Sequence, residues 1–185
     1  GIAQGIDIKG SVRAASTATV TVTYSATGGT SGRGQITAAP NTLDGVSLAA
    51  NNRILLKNQT TAAQNGIWVV STLGTGSNGV WDRATDFDED AEVTAGAFTF
   101  VEEGTTNADT GWVLTTNNPI VIGGGSGTSI AFSQFSSSAS YVAGNGLTLT
   151  TLTFDVGAGT GITVGADTVS VDTTGGGDRK STRLN

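Results

Sequence analysis

A repeat of fifteen residues near the C-terminus constrains the fold of this chain more than any other feature. Residues 144–156 and 159–171 align without a gap, and each copy contains a glycine turn followed by two short alternating strands. A unit of this size cannot enclose a core by itself. The repeat therefore predicts an elongated β structure that is buried by stacking or by other copies of the chain. The matched apolar positions are Leu147 with Ile162, Leu149 with Val164, Phe154 with Val169 and Val156 with Val171.

The composition favours short strands over helices. The 185 residues include 28 Gly but only 2 Pro, and Thr, Ser, Ala and Val are abundant. Aromatic residues make up 6% and Met is absent, so we expect stability to come from backbone ladders and from burial between subunits. The absence of Met also indicates a processed protein or a piece of a longer polypeptide.

Charge and residue types exclude several classes of function. The formal net charge is -6, and no basic patch interleaved with aromatic residues exists, so no nucleic-acid partner is expected. No apolar run reaches about 18 residues, which excludes a membrane-spanning helix. The chain has no His and no Cys, which removes the usual general base and the commonest metal ligands. We therefore predict a protein that is not an enzyme and that has no cofactor.

Strand and turn signals divide the chain into five segments. Strand candidates spaced about 8 to 15 residues apart and joined by turns predict a small β-sandwich or barrel module. Composition and charge shift abruptly after the repeats, so the tail is interpreted as flexible or as an artefact of the gene sequence. The segments are residues 1–43 (N-terminal β segment and flexible loop), 44–135 (globular β module), 136–143 (linker), 144–172 (two shaft repeats) and 173–185 (tail).

Individual elements can be placed within these segments. The alternation of Thr and Val predicts a strand over residues 18–24. Residues 58–66 are expected to hold one helical turn capped by Gly66. Asp44-Gly45 is typical of a tight turn. The strands predicted in the module are residues 53–57, 67–70, 80–83, 97–101, 111–114, 120–122 and 130–135.

A series of motifs runs in a fixed order through the module and into the repeats. The series consists of residues 44–46, 53–60, 65–70, 81–86, 98–105, 111–116 and 130–135, followed by the two Gly-x-Gly-[Leu/Ile]-Thr repeats. In this order the motifs resemble a β module and shaft repeats of the tail fibres and related virion structural proteins of tailed bacteriophages. The resemblance covers residues 44–172. Departures from it are residues 74–79, which read as an insertion, and the long N-terminal loop.

The resemblance implies a homotrimeric component of a virion fibre, in which three chains lie side by side along a common axis. We therefore expect an all-β chain with a globular module followed by a repetitive trimeric shaft, located on the virion surface. Its partners are expected to be its own copies, other virion proteins and a host surface glycan. The residues expected to form the oligomer core are Leu147, Leu149, Phe154, Val156, Ile162, Val164, Val169 and Val171.

An acidic run is the candidate for a metal site. Asp86, Asp88 and Asp90 follow the spacing of the first ligands of a calcium loop, and carboxylate oxygens suit Ca²⁺. The sixth position of such a loop holds Ala91 where glycine is needed, and the twelfth holds Ala97 where glutamate is needed. A solvated acidic loop is the preferred interpretation.

The tryptophans are candidates for stacking on sugar rings. Trp68 and Trp112 lie inside apolar strands, which favours packing in the core. Trp81 precedes Asp82 and Arg83 and is the candidate glycan contact, although core packing is the preferred interpretation for it as well.

Three alternative functions remain open. Residues 44–135 can act as a glycan-binding adhesion module. Alternatively, the chain is a subunit of a cellular surface filament, in which residues 18–24 add a strand to a neighbouring sheet. A depolymerase is the least favoured, because Glu102 and Glu103 are neighbours on a strand and therefore point to opposite faces.

Overall fold

The computed structural model shows an all-β protein, as the composition predicted. Its described part has fifteen strands and one 3-10 turn, Ala62–Gln64, and none of the sheets formed by these strands is closed. A barrel is therefore not confirmed. The chain divides into two compact units, Gly1–Ser138 and Ala139–Asn185, called unit 1 and unit 2. The structure describes residues 5–123, 127–136, 143–150, 153–157, 162–166 and 168–171.

The strands of unit 1 form two sheets and a small hairpin. A six-stranded sheet has the order β1-β6-β7-β8-β3-β2, and a three-stranded sheet has the order β11-β10-β9. Strands β4 and β5 form the hairpin. The strands are β1 (Ala14–Ala15), β2 (Thr23–Ser25), β3 (Gln35–Ala39), β4 (Thr42–Leu43), β5 (Val46–Ser47), β6 (Arg53–Leu56), β7 (Gly66–Thr72), β8 (Gly79–Arg83), β9 (Phe98–Val101), β10 (Thr110–Leu114) and β11 (Phe132–Ser136).

The N-terminal residues join the two sheets. The backbone N–H of Lys9 donates to the carbonyl of Phe98 at 2.9 Å, so the chain first runs parallel to β9. Farther along, the N–H of Ser16 donates to the carbonyl of Leu55 at 2.9 Å, beside β6. Residues 1–43 were predicted as a separate segment; in the structure they supply β1, β2 and β3 to the same sheet as β6, β7 and β8. The glycine-rich stretch 28–34 is a loop within this unit and marks no domain boundary.

The six-stranded sheet is buried on both faces. Leu55 and Ile67 on one face share a core cluster with Val101 and Leu114 of the three-stranded sheet. The opposite face carries a second core cluster that includes Ile54, Trp68 and Trp81, and the hairpin β4–β5 contributes Leu43 and Val46 to it. Alternation along each strand divides the side chains between these two cores. The few large apolar residues of the chain are thus shared between two core layers.

The predicted strand over residues 18–24 is largely wrong. Only Thr23–Ser25 forms a strand, at the edge of the six-stranded sheet. The Gln59 side chain accepts from the N–H of Val20 at 2.8 Å and donates to its carbonyl at 3.1 Å. A side-chain amide therefore takes the place of a neighbouring strand, while Val20 and Val22 still pack against the second core.

The predicted strand over residues 120–122 does not form either. Ile120 and Ile122 are buried in the first core, but the backbone of Ile122 bonds to side chains. Its N–H donates to Asp90 at 2.8 Å, and its carbonyl accepts from Arg33 at 3.2 Å. The apolar side chains of this segment are therefore buried, while its backbone groups are paired with side chains instead of with a neighbouring strand.

The predicted helical turn is present but is not capped by glycine. The 3-10 turn Ala62–Gln64 ends at Asn65, whose N–H donates to the carbonyl of Ala62. Gly66 instead begins β7 with a φ of 134°, and a Cβ at this position would overlap the Arg83 guanidinium. Gly66 is therefore required by close packing in the sheet.

The predicted turn at Asp44-Gly45 is confirmed, and it also organises a second loop. Both residues have positive φ, 48° and 78°, as a two-residue hairpin turn requires. The Asp44 carboxylate accepts from the N–H groups of Thr106 at 3.0 Å and of Asn107 at 2.8 Å. It also accepts from the side-chain amide of Asn107 at 3.0 Å. One carboxylate thus holds the loop between β9 and β10.

We expect Asp44→Ala to lower the free energy of unfolding by about 1–3 kcal/mol, because several donors lose their acceptor. Asp44→Asn should cost less, since Asn retains one oxygen acceptor and tolerates the left-handed backbone. Urea unfolding of both variants measures the difference. Equal midpoints for Asp44→Ala and the unmodified chain would show that this carboxylate does not hold the loop.

Candidate self-association interface

The first repeat of unit 2 forms a regular β-hairpin. Strands β12 (Leu147–Thr150) and β13 (Thr153–Val156) are antiparallel. Leu147 lies opposite Val156, and Leu149 lies opposite Phe154. Residues directly opposite each other project from the same face of a sheet. These four predicted oligomer-core residues therefore share one face of the hairpin.

The second repeat forms the same hairpin. Strands β14 (Ile162–Val164) and β15 (Val169–Val171) are antiparallel, with Ile162 opposite Val171 and Val164 opposite Val169. The equivalence of the two repeats in sequence thus extends to their register. All eight predicted oligomer-core residues occupy matching places in cross-strand pairs. Their burial between copies of the chain stays a prediction.

These apolar faces are open in the single chain. The exposed fraction is 43% for Leu147, 45% for Phe154 and 67% for Val171, and Leu149 is partly exposed. The opposite faces carry polar pairs such as Thr148 with Asp155. A two-stranded hairpin is marginally stable in water without a covered apolar face. Each repeat is therefore an amphipathic element whose apolar side is only partly buried.

The aspartates of the acidic run do not converge on one metal site. Asp86 pairs with Arg53 at 2.9 Å, whereas Asp90 pairs with Arg33 at 3.1 Å and accepts from the N–H of Ile122. Among the described residues, no group of three or more acidic side chains is arranged to hold a metal ion. The calcium-loop interpretation of Asp86, Asp88 and Asp90 is therefore not supported. The two carboxylates that bind arginines connect distant loops of unit 1.

Asp88 lies beside other carboxylates. The Glu92 carboxylate accepts weakly from the backbone N–H groups of Asp88 and Glu89, both at 3.3 Å. Burial raises the pKa of Asp88 above its ordinary value, and the neighbouring Glu92 and Glu89 raise it further. This part of the loop therefore carries repulsion between like charges at neutral pH.

Trp81 is not a surface residue, which corrects its candidate role as a glycan contact. Its side chain is fully buried in the second core, on the same face of the sheet as Trp68. The prediction assumed that Arg83 two residues later marks the surface, but Arg83 is also buried. Its guanidinium donates to the carbonyls of Asn65 at 2.7 Å and Ala63 at 2.9 Å and lies over the Trp68 ring.

The other tryptophans are also parts of the fold. Trp68 is buried, and its ring meets that of Tyr24 edge to face at 6.1 Å. Trp112 is half-buried beneath the Lys57 ammonium, which lies 4.0 Å from the ring centroid. Burial lowers the pKa of Lys57, and the nearby Asp44 carboxylate partly opposes this shift.

Among the described residues of unit 1, three partly exposed phenylalanines form a surface cluster that the sequence interpretation missed. Phe98, Phe100 and Phe135 meet edge to face on the outer side of the three-stranded sheet. The alternation in Phe98-Thr99-Phe100 was the available signal, because it places both rings on one face of β9.

Two further findings bear on the class of protein. Within the residues that the structure describes, no helix has the length and hydropathy needed to cross a membrane. Comparisons of the chain with family models, with curated proteins and with solved structures found no match. The exposed hairpin faces are therefore the main structural basis for a proposal of function.

Replacing Asp88 with Asn should stabilise unit 1 at neutral pH by roughly 0.5 kcal/mol or less, which is typical of exposed positions. The folded chain holds the Asp88 proton more tightly than the unfolded chain. Stability therefore falls as pH rises from the ordinary aspartate pKa, about 3.9, through the raised folded value. The gain should be present at pH 7 and vanish below the ordinary pKa.

Thermal unfolding at pH 3 and pH 7 tests this dependence. The matched control is Asp109→Asn, because Asp109 is exposed and Asn tolerates its φ of 57°. A gain of equal size at both pH values would contradict the assignment of charge repulsion to Asp88.

Proposed function

We propose that this chain is a non-enzymatic structural component of a bacteriophage fibre, in which the unit 2 hairpins of three copies pack together as a stalk. The exposed apolar faces of the two hairpins carry this proposal. The ordered motifs over residues 44–172, which resemble tail-fibre modules and shaft repeats, support it independently. The exposure of the hairpins supports the need for partner copies, and the resemblance supports the number three.

Burial of the hairpin faces supplies the driving force. Each Leu, Ile, Val or Phe that passes from exposed to fully buried contributes about 1.5–3 kcal/mol. The eight residues are already partly covered, so each gains only a fraction of that amount. Repetition of the hairpin compensates for this small gain per residue, because every added hairpin extends the same apolar face along the axis. Association and folding of the hairpins are therefore expected to be coupled.

The polar faces of the hairpins suit the outside of such a stalk. Thr148 faces Asp155, and Thr163 faces Ser170, on the sides opposite the apolar pairs. These side chains can remain hydrated when the apolar faces come together. A stalk of this kind does mechanical work: it holds an attachment element away from the particle and so supports attachment to the host. Its place is the virion surface, and other virion proteins are its further partners.

The alternatives have less structural support. The glycan-binding alternative has lost its proposed contact, because Trp81 is buried in the second core. The filament alternative requires residues 18–24 to be donated to a neighbour. In the single chain, Val20 is bonded to Gln59, and Tyr24 packs on Trp68. Donation would therefore break contacts of the chain with itself.

Placing charge on the apolar faces should prevent assembly. We expect Leu149→Asp combined with Val164→Asp to give monomers or aggregates, because a carboxylate buried without a partner is strongly destabilising. The matched control is Thr150→Asp combined with Thr163→Asp, which puts the same charges on the opposite faces of the same strands, across from Thr153 and Ser170. Light scattering coupled to size exclusion gives the mass of each variant.

The unmodified chain and the threonine control should both have the mass of a trimer. A trimer that persists in the Leu149 and Val164 variant would refute the proposed packing. A monomeric unmodified chain would refute the stalk itself.

A further inference from the structure

The three-stranded sheet of unit 1 has an apolar outer face. The ring centroids of Phe98 and Phe135 lie 5.5 Å apart, and those of Phe100 and Phe135 lie 5.7 Å apart. Phe98 and Phe100 are 6.1 Å apart. All three contacts are edge to face, which is a favourable arrangement for aromatic rings. The rings form one cluster across two non-adjacent strands of the sheet.

A glycine in the middle strand makes this cluster possible. Gly111 lies opposite Phe100 in the register of β10 and β9. A Cβ at Gly111 would overlap the Phe135 ring and press on Phe100. Without a side chain there, the two rings close over the strand between them. Thr99 and Val101 point to the opposite face of the same sheet and are buried.

The face extends beyond the aromatic cluster. Ile8 forms a parallel bridge with Phe98, and Ile8 and Ile6 are 65% and 80% exposed. Phe100 and Phe135 are 45% and 51% exposed. We call these residues, with Phe98 and Val113, the aromatic face.

The chemistry of the aromatic face limits what can cover it. A hollow of about 280 Å³ on the face has Phe98, Val113 and Phe135 as its lining among the residues that the structure describes. Small polar ligands need a few convergent hydrogen-bonding groups, which this lining does not offer. A sugar or an ion therefore does not fit, whereas another apolar protein surface does.

We infer that the aromatic faces of three copies contact one another in the proposed trimer; this rests on the proposed function. Continuity of the chain supports the choice of partner. Phe135 lies in β11, the last strand of unit 1, and unit 1 ends at Ser138. Copies that are held together through unit 2 are thereby tethered close to the strand that carries Phe135.

Charge supports the same partner. The formal net charge of the chain is -6, so copies repel one another over most of their surfaces. The residues that define the aromatic face are all uncharged, and the exposed Glu102, which continues the alternation of Phe98 and Phe100, lies at its border. Copies can therefore approach over the centre of the face without bringing like charges together there.

The size of the aromatic face indicates whether it can hold separate copies together. A Phe side chain buries about 150–250 Å² in total, so the partly exposed residues offer on the order of 400 Å² per copy. A standard interface takes about 800 Å² from each partner. The face alone is thus too small for stable association of separate copies. Joined through the stalk, the copies have a raised effective concentration at the face, and the contact can then form.

A single introduced thiol tests this contact in the full chain, which has no Cys. Ser133 is exposed and lies opposite Val113, so Ser133→Cys reports on the aromatic face. Ser77→Cys, in the exposed loop between β7 and β8, is the matched control. With a short bis-maleimide, Ser133→Cys should give cross-linked copies in about tenfold higher yield than Ser77→Cys, since tethering raises the local concentration.

A second substitution distinguishes contact at the aromatic face from assembly of the stalk. Adding Phe135→Glu to Ser133→Cys should abolish the cross-link while light scattering still shows a trimer. A trimer without cross-links in Ser133→Cys alone would overturn the inference and leave the proposed function standing. A monomeric chain would overturn both proposals.

Discussion

The structure of unit 1 depends on backbone hydrogen bonds made by its N-terminal residues. Residues 7–13 run beside β9, and residues 13–16 run beside β6, so one continuous segment belongs to both sheets. This connection holds the two sheets over a shared core that contains few large side chains. Without it, the three-stranded sheet would be held only by apolar contacts and by scattered polar bonds such as those of Asp44 to the loop between β9 and β10.

Polar side chains replace secondary structure at several points of the fold. Gln59 bonds both backbone groups of Val20, and Asp44 binds the loop between β9 and β10. Arg83 ties the carbonyls around the 3-10 turn to β8 without a carboxylate partner among its described contacts. Each of these groups satisfies buried or constrained backbone that a ladder does not reach. A chain that is poor in aromatic side chains and lacks Met thus uses directional bonds where other proteins use a thicker core.

Both units present apolar surface that a single chain does not cover. In unit 2 this surface consists of the hairpin faces, and in unit 1 it is the aromatic face. Monomeric soluble proteins seldom expose large contiguous apolar patches, and those that occur are often functional. We therefore regard contact between copies as the common theme of the two proposals, with the hairpins supplying most of the buried area and the aromatic face adding to it.

Local pattern determined the all-β class, the turn at Asp44-Gly45 and the strands of the repeats, because alternation and glycine turns depend only on neighbouring residues. Tertiary structure decided the rest. Residues 18–22 and 120–122 alternate or are apolar, yet side chains from distant loops satisfy their backbones, and no local signal reveals such partners. Trp81 is buried because it packs in the second core, and the nearby Arg83 does not mark the surface because its guanidinium is bonded to carbonyls nearly twenty residues away. The aromatic face depends on three strands whose register brings Phe98, Phe100 and Phe135 together, and register is a property of the folded sheet.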